Sequence, residues 1–246
     1  MTQHRWIELD GVVNMRDLGG LPTRGGGAVQ PHRLIRSDNL QDLSPTDVDR
    51  LVGALGVSDV LDLRSETEVS FTGPGPLRQV TSLTHHHHSL LGEQAFKVSD
   101  ALLIRDPARQ DRDAAFWTNH YLGYLSGNGA ATSAALSVIA DASGAVIVHC
   151  AAGKDRTGTV TALALDVAGV AEDDIVADYA ASGERLPQIL ERLSRSDLYG
   201  AALSTQALAD QDTRPETMAA FLNTLRAEDG GAAGSLTSQG WTHAAI

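Results

Sequence analysis

One short segment combines a thiol, a tight turn and a guanidinium at a spacing suited to phosphate-ester chemistry. Cys150 is the single cysteine of the 246-residue chain, and Arg156 follows it after five intervening residues. An apolar run over 145–148 precedes the segment, and a helical pattern follows it from Arg156 to about Val167. A loop between a strand and a helix N-terminus directs backbone N–H groups toward an anion. The segment is therefore predicted to hold a phosphoryl group beside a nucleophilic thiolate.

Each position of the segment has an expected role. Cys150 is the predicted nucleophile, because a helix N-terminus and nearby cations stabilise a thiolate; His149, directly before it, is expected to help. The loop amides are predicted to form a nest for phosphoryl oxygens, and Arg156 presents a planar fork to two of them. Thr157 is expected to donate its hydroxyl to the sulfur. The predicted substrate-binding residues are Ala151, Ala152, Gly153, Lys154 and Thr157.

Other interpretations of the segment fit less well. A lone cysteine after an apolar strand is most often a small core side chain, but here glycine, arginine and threonine all stand where the chemistry needs them. A Walker-type phosphate loop is excluded, because its first glycine would have to replace Val148. A rhodanese-like sulfur-transfer loop also places a cysteine in an anion nest, but the Arg156-Thr157-Gly158 sequence fits it poorly.

The whole pattern His-Cys-x-x-Gly-Lys-Asp-Arg-Thr-Gly resembles that of a bacterial phosphatase family. This family comprises the atypical, lipid-active tyrosine phosphatases typified by mycobacterial protein tyrosine phosphatase B. Further landmarks follow the family order over nearly the whole chain, except around 85–115: Asn14–Gly20, Leu34–Leu40, Asp62–Ser65 with Glu68, Ile175–Tyr179 and Arg214–Met218. The resemblance implies an α/β cysteine-phosphatase fold and hydrolysis of phosphomonoesters through a phosphocysteine intermediate. It implies phosphotyrosine, phosphoserine, phosphothreonine and phosphoinositides as substrate classes.

Two charged residues inside the loop sharpen the expected mechanism. Lys154 and Lys97 are the only lysines among 19 basic residues, and the resemblance implies that Lys154 widens acceptance toward more highly phosphorylated substrates. Asp155 is placed to protonate the leaving oxygen, a contribution of typically about 10²–10⁴-fold. Alternatively, Asp155 only pairs with an arginine and orders the loop. Asp106 and Asp62 are rival acids; we favour Asp155.

The composition indicates a soluble enzyme. The hydrophobic content of 42% suffices for a sizeable core, and the formal net charge of −12 disfavours nucleic acid or an anionic membrane surface as a bulk partner. No apolar run approaches the roughly 18 residues of a membrane span. A single cysteine allows no internal disulfide, which favours a reducing, cytoplasmic location; export without a classical signal stays open, and the oligomeric state cannot be read.

The elements that must position the loop follow an alternating pattern of strands and helices, which predicts an α/β sheet flanked by helices. We expect one phosphatase domain over residues 1–246. The predicted landmarks are a helix start at Ser44-Pro45, a strand over Val57–Leu63, helices over Phe116–Leu125 and Thr132–Ala142, a loop tip at 25–27, and a late turn or loose tail at 229–234.

Residues 172–212 exceed what a minimal phosphatase needs. Ile175, Val176 and Tyr179 indicate one amphipathic helix, and the apolar residues of 186–193 recur at the spacing of a second. The resemblance implies a helical lid that covers the active site and makes substrate access a gating step. The alternative is a helical pair packed permanently on the core.

Other polar clusters are expected to have structural roles. The run His85–His88 follows no recognised ligand spacing, and the thiol chemistry needs neither a metal nor a cofactor. Arg16, Asp17 and Arg64 are predicted to form structural ion pairs beside buried strands. The alternative places Arg64 or Asp62 on the rim of the pocket. The alternative to an enzyme is a phosphate-binding regulatory module without turnover, but such a module predicts a damaged loop.

Overall fold

A six-stranded mixed sheet lies at the centre of the protein. The computed structural model describes residues 5–91, 113–203 and 211–242. The strands, numbered β1 to β6 along the chain, are Arg5–Trp6, Arg16–Asp17, Leu34–Ser37, Val57–Asp62, Thr84–His87 and Ala145–His149. Their order is β1-β2-β3-β6-β4-β5, with β3, β6, β4 and β5 parallel and β2 antiparallel to both of its neighbours. The predicted α/β sheet is confirmed, and β6 lies in its interior.

Helices flank the sheet on both sides. In the described residues, numbered α1 to α9 in chain order, they are Pro45–Asp49, Glu66–Thr72, Ala114–Asp141, Asp155–Val167, Glu172–Ala181, Leu186–Ser194, Gly200–Leu203, Pro215–Asp229 and Ala232–Ser238. A π-helical turn at Arg50–Ala54 extends α1, and 3₁₀ turns occupy Pro76–Gln79 and Ser182–Arg185. Within the described parts of the chain, no helix is long and apolar enough to cross a membrane.

The strand that leads to Cys150 is buried on both faces. All five residues of β6 are buried, and successive side chains of a strand point to opposite faces. Val146 and Val148 pack into the larger core with α3, α4 and α8, whereas Ala145 and Ile147 join the core on the α1 side. This double burial explains the continuous apolar run in the sequence.

Serine caps fix the starts of α1 and α2. The Ser44 hydroxyl accepts the N–H of Asp47, and the Asp47 carboxylate accepts the N–H of Ser44. Ser65 and Glu68 form the same reciprocal pair at the start of α2. Such a pair satisfies N–H groups that the first helical turn leaves without a partner. The predicted helix start at Ser44-Pro45 is confirmed.

Two sequence expectations about helix ends can be compared with the structure. The two helices predicted over Phe116–Leu125 and Thr132–Ala142 are confirmed as the two arms of α3, which a kink at the non-helical Asn128, with φ −141° and ψ 40°, separates. Of the two alternatives at 229–234, the late turn is confirmed and the loose tail is wrong. Gly230 takes a left-handed conformation that ends α8, and α9 then buries Ala232 and Leu236 in the larger core. This apolar contact holds the segment against the domain.

Candidate active site

The loop between β6 and α4 makes a sharp turn against β3. Cys150 follows β6 directly, and Asp155 is the first residue of α4. Gly153 has φ +67°, and a Cβ placed there would stand 2.4 Å from the backbone oxygen of Ser37. Both the left-handed backbone and this close approach require glycine. The turn therefore brings the loop against the carboxyl end of β3, where ligands of open α/β sheets collect.

Donors from outside the loop hold its carbonyl groups. Asn39 donates to Ala151 O through its backbone N at 3.0 Å and through Nδ2 at 3.2 Å. Asn14 Nδ2 donates to Ala152 O at 3.0 Å and to Gly153 O at 3.2 Å. Arg36 Nη2 also donates to Gly153 O, at 2.8 Å. Because the carbonyls are engaged there, the loop can present its N–H groups to an anion.

A buried ion network supports these donors. Asp178 on α5 accepts Nε of Arg16 at 2.7 Å and Nη1 of Arg36 at 2.5 Å, and Arg16 Nη1 donates to Asn14 Oδ1 at 2.7 Å. Burial opposes ionisation of Asp178, but the two guanidiniums outweigh it and hold its pKa below the ordinary value. The predicted structural ion pair of Arg16 is confirmed with Asp178 as its partner, whereas Asp17 accepts backbone N–H groups.

Arg156 is oriented by a carboxylate from α2. Its two terminal nitrogens donate to Glu68 at 2.6 and 3.0 Å, and Nη1 also lies 3.4 Å from the backbone oxygen of Leu63. Glu68 also accepts the Tyr199 hydroxyl at 2.8 Å. Burial opposes the charge on Glu68, but Arg156 and these hydrogen bonds hold the pKa of the carboxyl below its usual value. A guanidinium has five N–H donors. Arg156 uses three of them on Glu68 and Leu63, so the described residues leave two for a ligand.

Asp155 is ionised by its neighbours in this state. Its Oδ1 accepts Lys154 Nζ at 2.7 Å and the Tyr121 hydroxyl at 2.6 Å. Burial opposes this charge, but the Lys154 ammonium and both hydrogen bonds hold the pKa of Asp155 below its ordinary value. Lys154 Nζ also lies 4.5 Å from the centre of the Trp117 ring. The alternative that Asp155 pairs with an arginine is not what the structure shows.

The catalytic pocket contains most of the predicted site residues. Cys150 and Arg156 line it together with Ala151, Ala152, Lys154 and Asp155, whereas Gly153 and Thr157 do not. Trp117, His120 and Tyr124 of α3 form an aromatic wall, and Leu186, Ile189, Leu190 and Leu193 of α6 cover the pocket. The enclosed volume is about 20 Å³, which is room for about one water-sized molecule. A phosphate ester does not fit without movement.

The rival acid Asp62 is unsuited to donate a proton. Arg64 binds it through Nε and Nη2 at 2.5–3.0 Å, and His149 Nε2 lies 3.7 Å away. Burial opposes its charge, but His149 and Arg64 hold the pKa of Asp62 far below its usual range. Burial also lowers the pKa of His149 to about 4, so this imidazole is neutral at pH 7 and brings no positive charge to the sulfur. Asp106 lies outside the described residues.

The expected hydrogen bond from Thr157 to the sulfur is absent from this state. Thr157 is fully buried, and its hydroxyl has no hydrogen-bond partner among the described residues. Thr157 lies within the first turn of α4, where a β-branched side chain has few rotamers. In the rotamer of this structure its hydroxyl does not reach the sulfur of Cys150. This part of the sequence prediction is therefore corrected.

The histidine run has partners of its own. His85 bonds to Leu77 O at 3.1 Å, His86 to Asp59 at 2.8 Å and His87 to Arg64 O at 2.7 Å. In the described parts of the chain, no cluster of three or more histidine, cysteine or acidic side chains could hold a metal ion. These bonds attach the edge strand β5 to neighbouring segments.

The region 172–212 divides into two parts with different packing. Ile175 and Tyr179 of α5 belong to the larger core, so this helix packs on the domain. In contrast, Ile189 and Leu193 of α6 form a separate cluster with Ala151 of the loop. Only the second part covers the pocket. Residues 204–210 lie outside the described part.

Several residues of the site were not predicted from the sequence. The chain has only four tyrosines, and all four lie around the loop: Tyr121 beside Asp155, Tyr179 beside Tyr121, Tyr124 in the pocket wall and Tyr199 on Glu68.

Comparisons with known proteins agree with this geometry. Residues 7–246 match the profile of the tyrosine phosphatase family. The triple specificity protein phosphatase PtpB of Mycobacterium tuberculosis is 36% identical over 211 residues, which cover 76% of this chain and 72% of that protein. A putative tyrosine-protein phosphatase of Cupriavidus necator is 34% identical over 186 residues, 74% of this chain and 64% of that protein.

A search of solved structures finds the Siw14 catalytic core, with 12% identity and a TM-score of 0.42, covering 82% of this chain and 89% of that chain. The resemblance that the loop and the landmarks carry is confirmed by the sequence matches, which span most of the chain. The chain belongs to the tyrosine phosphatase family and is a cysteine-dependent phosphatase.

Proposed function

We propose that Cys150 attacks the phosphorus of a phosphomonoester while Arg156 and the loop amides hold the phosphoryl oxygens. Asp155 protonates the leaving oxygen and then removes a proton from the water that hydrolyses the phosphocysteine. The observation that carries this proposal is the convergence of Cys150, Asp155 and Arg156 in one pocket. An intact nucleophile, nest and arginine also favour turnover over a binding module that has lost it.

The ionised state of Asp155 is compatible with an acid role. A phosphoryl dianion in the pocket competes with Asp155 for the Lys154 ammonium, which is the strongest positive influence on this carboxylate. Loss of that contact, together with the new negative charge, raises the pKa of Asp155 as the substrate binds. Substrate binding would therefore favour the protonated form of Asp155, which is the form that can act as an acid.

Replacement of Asp155 by asparagine tests the acid. We expect Asp155→Asn to lower kcat/KM for phenyl phosphate, which reports the steps up to the phosphocysteine, about 10²-fold or more, because phenolate is a poor leaving group. The loss for p-nitrophenyl phosphate is expected to stay within about tenfold, since nitrophenolate leaves without a proton. Steady-state rates from pH 4 to 9 provide the measurement. Equal losses on both esters would place the acid elsewhere.

We propose phosphotyrosine as the preferred substrate, with phosphoserine, phosphothreonine and phosphoinositides as further substrates. The aromatic wall of Trp117, His120 and Tyr124 supports the preference, because a phenyl ring gains about 0.5–1.5 kcal/mol from aromatic contacts. The positive charge of Lys154 supports the proposal that substrates with a second phosphate group are also accepted. Matched phosphotyrosine and phosphoserine peptides and a short-chain phosphoinositide form the test panel. A kcat/KM for phosphoserine equal to that for phosphotyrosine would contradict the preference.

We also propose that α6 is a lid and that Arg192 holds it closed. Arg192 donates to Asp38, to both oxygens of Asn39 at 3.1 and 3.4 Å, and to Asp42 at 2.9 Å. Asp38 is buried beside the loop, where it also accepts the N–H groups of Val13 and Asn14. Since the closed pocket is too small for an ester, this latch must release for substrate to bind.

Alkylation of the single cysteine measures lid opening directly. We expect Arg192→Ala to speed reaction of Cys150 with iodoacetamide about tenfold or more, because the buried hydrogen bond from Arg192 to Asp38 is worth about 1.5–3 kcal/mol, whereas the one to the exposed Asp42 adds little. Arg195→Ala is the matched control. Arg195 lies at the end of the same helix but is exposed, and among the described residues it pairs with Glu191, a contact of little worth. Equal alkylation rates in both variants and wild type would show that α6 does not limit access.

We propose a reducing, cytoplasmic location for the enzyme. The chain has no second cysteine with which Cys150 could form an internal disulfide, and the thiol must stay reduced to act. Fractionation of the native host followed by immunodetection provides the test; recovery only from the exported fraction would contradict it.

A further inference from the structure

A buried tyrosine pair ends on the carboxylate assigned above as the acid. The Tyr121 hydroxyl lies 2.6 Å from Asp155 Oδ1, and the Tyr179 hydroxyl lies 2.7 Å from the Tyr121 hydroxyl. Both tyrosines are almost fully buried. They come from different helices, α3 and α5, so the contact is made by the tertiary fold.

The direction of these hydrogen bonds follows from donor capacity. An ionised carboxylate only accepts, and a phenol has one proton to donate. Tyr121 must therefore donate to Asp155, and Tyr179 must donate to Tyr121. Burial and the nearby Asp155 charge raise the pKa of Tyr121 well above its ordinary value, so the hydroxyl keeps its proton at every working pH.

The two oxygens of Asp155 are consequently unequal. Oδ1 accepts both Lys154 Nζ and the Tyr121 hydroxyl, whereas Oδ2 accepts from no donor among the described residues. When a bound phosphoryl group takes Lys154 from Asp155, Tyr121 still donates to Oδ1, and the carbonyl oxygen of a carboxylic acid is a stronger acceptor than its hydroxyl oxygen. The proton of the acid form therefore belongs on Oδ2.

We propose that Tyr121 is a positioning residue that fixes Oδ2 of Asp155 as the oxygen that donates and accepts the proton; this rests on the proposed acid role. In the first step Sγ bonds to phosphorus, the bond from phosphorus to the leaving oxygen breaks, and the Oδ2 proton moves to that oxygen. The new carboxylate keeps the Tyr121 hydroxyl as a donor to Oδ1. In the second step water gives a proton to Oδ2 and bonds to phosphorus, and the thiolate leaves.

In the described residues, the charged and titratable groups around Asp155 come from the loop, α3 and α5, and Cys150 and Arg156 line the same pocket. Lys154 of the loop and Tyr121 bind it directly, His120 and Tyr124 of α3 interact with it through space, and Tyr179 of α5 follows behind Tyr121. Removal of the Tyr121 hydroxyl takes away a bond to the charged form. This change raises the pKa of Asp155.

Tyr121→Phe tests the inference, with Tyr179→Phe as the matched control. Each variant removes one buried phenolic oxygen from the same pair, but only Tyr121 contacts Asp155. We expect Tyr121→Phe to lower the pH-independent maximum of kcat/KM for phenyl phosphate, which reports the steps up to the phosphocysteine, about tenfold. The same maximum for p-nitrophenyl phosphate should stay within about threefold of wild type. The alkaline limb of kcat/KM for phenyl phosphate should move to higher pH. Tyr179→Phe should change the ratio of the two rates by less than about threefold.

The outcomes separate this inference from the acid assignment. Equal loss on both esters with an unmoved limb in Tyr121→Phe would overturn the positioning role, provided Asp155→Asn still discriminates between them. An equal effect of Tyr121→Phe and Tyr179→Phe would also overturn it, because packing of the pair would then be the cause. If Asp155→Asn slowed both esters equally, the assignment of Asp155 as the acid would itself be wrong. Thermal melting of each variant shows first that it is folded.

Discussion

Cys150→Ser is expected to abolish turnover while leaving phosphate-ester binding intact. A serine hydroxyl is not ionised near neutral pH and is a poor leaving group in the second step. We expect kcat for p-nitrophenyl phosphate to fall at least about 10⁴-fold, the scale on which loss of a nucleophile acts. The amide nest and Arg156 remain, so the affinity for a phosphotyrosine peptide should stay within about tenfold.

Calorimetric binding of the peptide to Cys150→Ser separates loss of chemistry from loss of fold. Cys150 is only 2% exposed and packs in the larger core, so a melting curve must accompany the binding data. Retention of a tenth or more of wild-type activity would contradict the proposed nucleophile. Since the chain has no other cysteine, no second thiol could explain such a result.

The loop was predictable because its chemistry lies within consecutive residues. Spacing alone links Cys150 to Arg156, and the apolar run before them needs no partner to indicate a buried strand. Helix starts were equally local: the reciprocal bonds of Ser44 join residues only three apart. In each case the physical cause of the structure lies in a few neighbouring side chains, which a single sequence displays.

The supporting contacts were not predictable because they join distant parts of the chain. Asn14 meets the loop across 138 residues, Glu68 meets Arg156 across 88, and Tyr121 meets Asp155 across 34. The resemblance marked Asn14 and Glu68 as landmarks without showing what they touch. Only the order of strands in the sheet brings them to the loop.

The kink in α3 lies between the two helices that the sequence predicts. Gly127 and Gly129 flank the non-helical Asn128, and each costs about 1 kcal/mol relative to alanine in a helix. The bond from Asn128 Nδ2 to Leu90 O at 3.0 Å holds the residue at the kink. Local propensity and a tertiary contact therefore act at the same place.

Arg156 is expected to contribute to catalysis through its planar geometry as well as through its positive charge. Glu68 engages both terminal nitrogens of Arg156 at 2.6 and 3.0 Å, which fixes the plane of the guanidinium. Burial opposes the charge on Arg156, but Glu68 outweighs it and holds the pKa well above the ordinary value. A planar fork held in this way can bind two phosphoryl oxygens as charge develops, without reorganising in the transition state.

Arg156→Lys keeps the charge but removes the fork, so it separates the two contributions. We expect kcat to fall about 10²–10³-fold, the loss typical of one misplaced donor to a transition-state oxyanion. Arg64→Lys is the matched control, because Arg64 is equally buried and also binds a carboxylate through two nitrogens, but lies outside the pocket. Both variants should lower the melting temperature to a similar extent, and only Arg156→Lys should lose more than about tenfold in kcat. Parallel losses of activity and stability in the two variants would reduce Arg156 to a structural cation, since a packing defect alone would then account for both.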